Sequence, residues 1–331
     1  MSVVSLTPDE IHAWAAAEAQ PPYAYYGDFA SRGRLAYRTE QLTRLLASPQ
    51  HRALVVPGPG GSAALVGLTS LAWDSEQFGF PAGRIDHLIV RDAAGRPMGD
   101  AAEVYALARR AGQAALAEAA AQGIRHISAR FDSRDLPLVQ GLEAVGFELV
   151  DAILKFALRV EEWDGVLPPL PPGVRLRDAT ETDIPALAEL AARGFLYDRF
   201  HNDPALPAGV ADRVHAAWLT NAVKGRTGHG VVMAEVDDRP GGFFILALDE
   251  AAGVHFGCPV GTLVLITVDA TLRRRGVALA LSQGSVAWLA HRGARRFEVG
   301  TQLANVPAAN VYLKSGFRLV NTSLSLRRMA S

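Results

Sequence analysis

Cysteine is almost absent: Cys258 is the single one in 331 residues, which excludes an intrachain disulfide and a cysteine-built metal site. Net charge is also small, at −1, so no field is available to collect nucleic acid or an anionic membrane, and neither is expected as a partner. No apolar run approaches the roughly 20 residues of a membrane span. Met1 to Trp14 carries acidic residues and no apolar signal-peptide core, so a cytoplasmic location is expected. The histidines are scattered without spacing of the H-x-x-x-H kind, so no metal is expected either.

What is present is ordinary for a globular chain, with 49% apolar and 20% charged residues. The length suits two domains of about 160 residues. Val166-Leu167-Pro168-Pro169-Leu170-Pro171-Pro172-Gly173 cannot continue a helix or a central strand and reads as a stiff connector. The expected organisation is therefore a domain over 1–160, a linker over 161–173 and a domain over 174–331. The two halves also repeat. Displaced by about 170 positions, Gly293 meets Gly123, Arg295 meets Arg125 and Pro307 meets Pro137. In the same register Gly316-Phe317 meets Gly146-Phe147, and Leu319-Val320 meets Leu149-Val150.

The second half reads as strand, two helices, three strands, helix, strand, helix, strand. Val174–Asp178 is a strand, and Thr182 is placed to cap a helix running to about Phe195. A polar, aromatic loop over 196–209 precedes a second helix to about Lys224. Val231–Val236 and Gly242–Leu248 are strands joined by Asp237–Gly241, and Thr262–Val268 is a buried strand. Residues 277–292 form a helix with Val277, Leu281, Val286 and Leu289 on its apolar side. Arg296–Thr301 is a strand, Val306–Ser315 a helix, and Phe317–Met329 a final strand pair.

Two segments of this half carry chemistry. Arg273-Arg274-Arg275-Gly276-Val277-Ala278 has the form R-x-x-G-x-A and opens a helix. A helix N-terminus offers unpaired N–H groups and partial positive charge, Gly276 admits close approach, and guanidinium pairs with phosphate oxygens. Alone, such a turn is as readily a solvated basic loop. Downstream, however, Asn305-Val306-Pro307-Ala308-Ala309-Asn310-Val311-Tyr312-Leu313-Lys314-Ser315-Gly316-Phe317 has the form N-x-x-A-x-x-x-Y-x-x-x-G-F. Together the segments resemble the acetyl-CoA site of the GNAT superfamily of N-acetyltransferases. The resemblance implies an α/β fold of two tandem GNAT-like domains, with mixed central sheets flanked by helices. It implies acetyl-CoA as cosubstrate, its pyrophosphate on Arg273, Arg274, Arg275, Gly276, Val277 and Ala278. The pantetheine arm would lie along the backbone of Ile266, Thr267 and Val268, with Asn305 and Ala308 also at the cofactor. Tyr312 takes the position of the general acid that protonates the departing thiolate. No general base is identifiable; Glu298, Asp269, Asp249 and His255 read better as strand-end or surface charges.

A narrower resemblance concerns the acceptor. Leu71-Ala72-Trp73-Asp74-Ser75-Glu76-Gln77-Phe78-Gly79, Glu181–Leu187, Arg199-Phe200, Trp218–Val223 and Thr301–Asn305 are similar to bacterial dTDP-fucosamine N-acetyltransferases, which acetylate the 4-amino group of a dTDP-linked deoxysugar. This chain departs from them by about a hundred extra residues at its front, which complete the first half. Tyr197, Arg199 and Phe200, in the loop where GNAT proteins receive acceptors, are the candidate substrate residues: Arg199 for a phosphate, the aromatics for stacking. In the first half Leu142 stands at the position of Tyr312, Asp135 at that of Asn305, and Asp92–Gly99 lacks the phosphate turn. That half is read as degenerate, with Trp73, Phe78 and Phe80 as core or cleft residues. The expected function is N-acetylation of a small primary amine, such as a nucleotide-linked amino sugar, by a monomer or homodimer. Another small amine (an antibiotic or a mycothiol-type precursor) and a non-catalytic acyl-CoA-binding module remain open.

Overall fold

The structure is a computed structural model; it describes residues 3–163, 165, 169–228 and 230–330. Residues 166–168 of the proline-rich connector lie outside them. The chain packs as two units, one of residues 1–152 with 322–331 and one of residues 153–321. Among the described residues no helix is long and apolar enough to cross a membrane.

The first unit runs α1 (Pro8–Ala16), α2 (Ser31–Leu46), β1 (His51–Pro57), β2 (Ala63–Ser70), α3 (Ala72–Phe78), β3 (Ala82–Arg91), α4 (Ala101–Ala121), β4 (His126–Asp132), α5 (Leu136–Glu143) and the start of β5 (Glu148–Arg159). The second contains the end of β5, then β6 (Val174–Asp178), α6 (Ile184–Gly194), α7 (Arg199–Asn202), α8 (Val210–Val223), β7 (Gly230–Val236), β8 (Arg239–Asp249), α9 (Glu250–Phe256), β9 (Val260–Val268), α10 (Val277–Ala290), β10 (Arg296–Gln302), α11 (Val306–Lys314) and the start of β11 (Arg318–Met329). The sequence gives no hint of α9, a short helix capped by Asp249. Thr180, in a capping box with Asp183, starts the short 3₁₀ turn that leads into α6, and α6 itself begins after Asp183 without a side-chain cap, so Thr182 does not cap it. The β7–β8 turn is tighter than expected: Asp237 and Asp238 both have positive φ, as a two-residue type I′ hairpin requires.

Each unit has a mixed sheet with helices on both faces. In the second unit strand alternation sorts the core. Phe244 and Leu246 of β8 join Val277, Leu281, Val286 and Leu289 of α10 on one face. Phe243 and Ile245 join Leu187 and Ala191 of α6 and Leu219 of α8 on the other. The first unit is built alike, with α4 and α5 over one face and α1 and α2 over the other.

The final strand departs from expectation. Phe317–Met329 is not a strand pair: β11 is one long strand whose last residues, Ser323–Met329, pair antiparallel with β4 in the first unit. Conversely, Ile153–Arg159 of β5 pairs antiparallel with β10 in the second unit. Each sheet is thus completed by the strand that follows the other unit's helix. The sequence division at 161–173 misses this because a strand's local pattern does not specify which sheet receives it.

Candidate active site

Strand pairing creates the opening in the second unit. β9 pairs parallel with β10 only from Val260 to Leu263, opposite Arg296 to Val299. Beyond that the register of β8 against β9 shifts: Leu246 faces Leu263 and Ile245 faces Leu265, leaving Val264 as a bulge residue. A bulge bends and twists its strand, here away from β10. Residues 264–268 therefore keep one edge on β8 and, among the described residues, have no ladder partner on the other. Ile266 and Val268 lie at the fringe of the α10-side core. Thr267 is buried with its side chain against Gly194: a Cβ there would sit 1.9 Å from its hydroxyl oxygen. Of Thr267, only the backbone serves the open edge.

The turn after β9 opens α10. Gly276 is the N-cap with φ of 83°, and no side chain caps the helix. Arg274 is also left-handed, with φ of 64°. For a non-glycine residue that costs roughly 1–2 kcal/mol, a strain typical of ligand-holding turns. Arg273, Arg274 and Arg275 are exposed, Val277 is buried and Ala278 is half-buried. Pro171 covers Gly276 closely: a Cβ added there would meet it at 3.0 Å. The structure thus brings together a helix start without a side-chain cap and three guanidinium side chains at one turn.

Asn305 caps α11, its side-chain oxygen accepting from Ala308 N–H at 3.3 Å. Tyr312, one turn further on, is only 2% exposed. Its ring packs against Phe156 of β5 at 5.8 Å and Phe317 at 6.3 Å. Burial alone pushes the phenol far above its usual range, so it stays protonated at neutral pH. The ring is thus part of the apolar core of the second unit, with only a sliver of its surface accessible.

The acceptor loop is ordered by Asp198. One carboxylate oxygen accepts from the N–H groups of Phe200 and His201, starting α7. Tyr197 is 40% exposed, and the Arg199 guanidinium lies 4.6 Å from the Phe200 ring centroid. Phe200 meets His215 edge-on at 5.9 Å, so it anchors the loop rather than presenting a face. The same loop assembles Asp198, His201 and His215, whose ligating atoms all lie within 4.8 Å of one another. Sequence spacing missed this trio because His215 comes from α8. Burial pushes the His215 imidazole below its usual range, against the pull of Asp198.

The first unit repeats the architecture with different chemistry. β3 pairs parallel with β4 from Ala82 to Ile85 and then bulges at Asp86, as β9 does at Val264. There α4 begins with Asp100, which accepts from Glu103 N–H. A carboxylate thus occupies the helix terminus that Gly276 leaves open in α10. A cavity of about 300 Å³ opens within this unit, lined by Glu18, Asp86, His87, Arg130, Asp132 and Asp135 among others. Burial and the neighbouring Asp132 raise Asp135 to about 6. Burial and the Arg38 charge lower His87 to about 3, and among the described residues neither of its ring nitrogens has a hydrogen-bond partner. Leu142, opposite number of Tyr312, is fully buried and Phe78 is buried; Phe80 is half-buried beside His126.

The model of the acetyltransferase (GNAT) family matches residues 189–317. The dTDP-fucosamine acetyltransferase of Escherichia coli O6:H1 is 28% identical over 208 residues, which span 61% of this chain and 81% of that one. The spore coat polysaccharide biosynthesis protein SpsD of Bacillus subtilis is 26% identical over 168 residues, 51% of this chain and 54% of that one. Among solved structures, a GCN5-related N-acetyltransferase from Sphaerobacter thermophilus superposes with a TM-score of 0.64 at 18% identity, covering 99% of this chain and 95% of that one. A tandem GNAT protein from the clavulanic acid biosynthesis pathway superposes with a TM-score of 0.57 at 16% identity, covering all of this chain and 98% of that one. The two structures share the fold over both units.

Proposed function

We propose that the chain, whose residues 189–317 match the acetyltransferase (GNAT) family model and which is similar to a dTDP-fucosamine acetyltransferase, is an N-acetyltransferase that moves the acetyl group of acetyl-CoA directly to a primary amine of a nucleotide-linked amino sugar. The observation that carries the cofactor half is the contrast between two equivalent helix termini: α4 is capped by Asp100, α10 by Gly276 with no side chain. Uncapped N–H groups beside Arg273, Arg274 and Arg275 suit a pyrophosphate, and a carboxylate in the same place repels one. The acceptor half rests on the similarity to the dTDP-fucosamine acetyltransferase.

In this reading the pantetheine arm takes the place of the missing ladder partner along Ile266, Thr267 and Val268, and Asn305 and Ala308 border it at the start of α11. The neutral amine attacks the thioester carbonyl, oriented by the Val268 N–H. As the tetrahedral intermediate collapses, the C–S bond breaks and the sulfur takes a proton while the amine loses one. A free thiol titrates near 8.5, but the apolar pocket around Tyr312 disfavours a thiolate just as it disfavours a phenolate. Tyr312 therefore remains a hydrogen-bond donor to the sulfur until charge develops there, and acts as the general acid. Tyr197, Arg199 and Phe200 shape the acceptor entrance, with Arg199 toward phosphate.

The test is Tyr312→Phe. Turnover is expected to fall about 10²-fold or more, with acetyl-CoA affinity within a few-fold of wild type. Unchanged kcat removes Tyr312 from the chemistry. An acceptor screen with thiol release as readout, including dTDP-linked amino sugars, tests the substrate class; activity confined to amines without a nucleotide overturns it.

A further inference from the structure

We propose that Asp198, His201 and His215 form a binding site for one divalent transition-metal ion of the zinc type, between α7 and α8. The near nitrogens of both histidines converge on a single carboxylate oxygen. His201 Nδ1 lies 2.7 Å and His215 Nε2 3.7 Å from Asp198 Oδ2. The far nitrogens are each provided with an acceptor. His215 Nδ1 donates to the Ala211 carbonyl at 2.8 Å, and since a carbonyl only accepts, the neutral ring carries its lone pair on Nε2, toward Asp198. His201 Nε2 faces the Asp212 carboxylate at 3.4 Å. Histidines that ligate metals characteristically donate their other N–H to a carbonyl or carboxylate, which fixes tautomer and ring orientation. Asp198 is prepared in the same way: Oδ1 is held by two backbone amides, and Oδ2 is turned to the histidines.

Without a cation the arrangement is poorly matched. His201 Nδ1 can donate to Asp198 Oδ2, but His215 Nε2 then faces that oxygen at 3.7 Å as a second acceptor in a buried place. A metal at about 2.0–2.2 Å from each atom satisfies both. Two imidazoles and one carboxylate suit zinc, and three protein ligands leave a coordination position for water or a substrate oxygen. The rings are also set in place: His215 stacks on Phe195 at 4.2 Å and lies parallel to His201 at 5.9 Å. Gly194, next to Phe195, rests on Thr267 of β9, so the ion would sit one side-chain layer from the strand at the open edge.

The experiment is calorimetric titration of Zn²⁺ into the chelator-treated full chain, with Co²⁺ absorption as a second readout. Wild type is expected to bind one equivalent, and Co²⁺ to give the intense visible bands of a four-coordinate site. His201→Ala and Asp198→Asn are expected to weaken binding by roughly 10²-fold or more. His201 is partly exposed, so its variant should melt like the metal-free wild type; if Asp198→Asn fails to fold, His201→Ala alone decides. No binding to wild type identifies the trio as a hydrogen-bonded histidine–aspartate network and overturns the proposal. Equal affinity in wild type and a folded variant places the ion elsewhere and overturns it too. Because metal is read directly, neither outcome depends on acetyl transfer.

Discussion

Asp135 and Asn305 stand at one position of the repeat and behave differently. Asn305 caps its helix through Ala308, whereas Asp135 makes no side-chain cap and is raised to about 6 by burial and Asp132. The sign follows: with a folded pKa above the unfolded value near 3.9, ionising Asp135 costs the folded state. That cost is absent below about pH 4 and complete above about pH 6. Asp135→Asn is expected to raise the melting temperature by a few degrees at pH 8, with the gain shrinking toward pH 4; a gain independent of pH contradicts the assignment. Asn305 stands two residues before Pro307, the pattern of a cap ahead of a first-turn proline, so its capping role is legible in the sequence. The trio of Asp198, His201 and His215 was not, because three residues meeting across two helices leave no fixed spacing. The burial of Tyr312 was equally hidden: a helix pattern shows which face is apolar, but not that Phe156 from the other half of the chain packs onto it.

Elements were legible where the backbone makes a demand that few residues meet. Gly146 and Gly316 both take positive φ, and Phe147 and Phe317 N–H groups reach back to the Leu142 and Tyr312 carbonyls at 3.2 and 3.0 Å. Both helices so end in a Schellman turn with a buried phenylalanine after it, which is why the Gly-Phe pair repeats. The bulges at Val264 and Asp86 left no such mark, since any residue can be the extra one and only the pairing reveals it. They nonetheless set the gap between strands. Acetyl-CoA is accordingly expected to slow hydrogen exchange in residues 264–268 and 277–279 and to leave the paired residues 260–263 unchanged. Protection centred on β3 instead would move the cofactor to the first unit.

The repeat of the whole molecule was visible in sequence, but its strand exchange was not. A chain cut at the proline-rich connector, residues 174–331, lacks Ile153–Arg159 and so leaves β10 without its antiparallel partner. It is expected to show a poorly dispersed amide spectrum, and a native-like spectrum would show the exchanged strand to be dispensable. Removing Thr322–Ser331 should likewise loosen the first unit, whose β4 loses Ser323–Met329. Two similar units also raise the question of which one holds the cofactor. The contrast between the capped and uncapped helix termini is the ground on which we propose the second alone. Calorimetric titration of acetyl-CoA into wild type and Gly276→Asp tests this most directly. One equivalent per chain for wild type, and none for a variant with an unchanged circular dichroism spectrum, is the predicted result. Two equivalents, or undiminished binding to the variant, would contradict it.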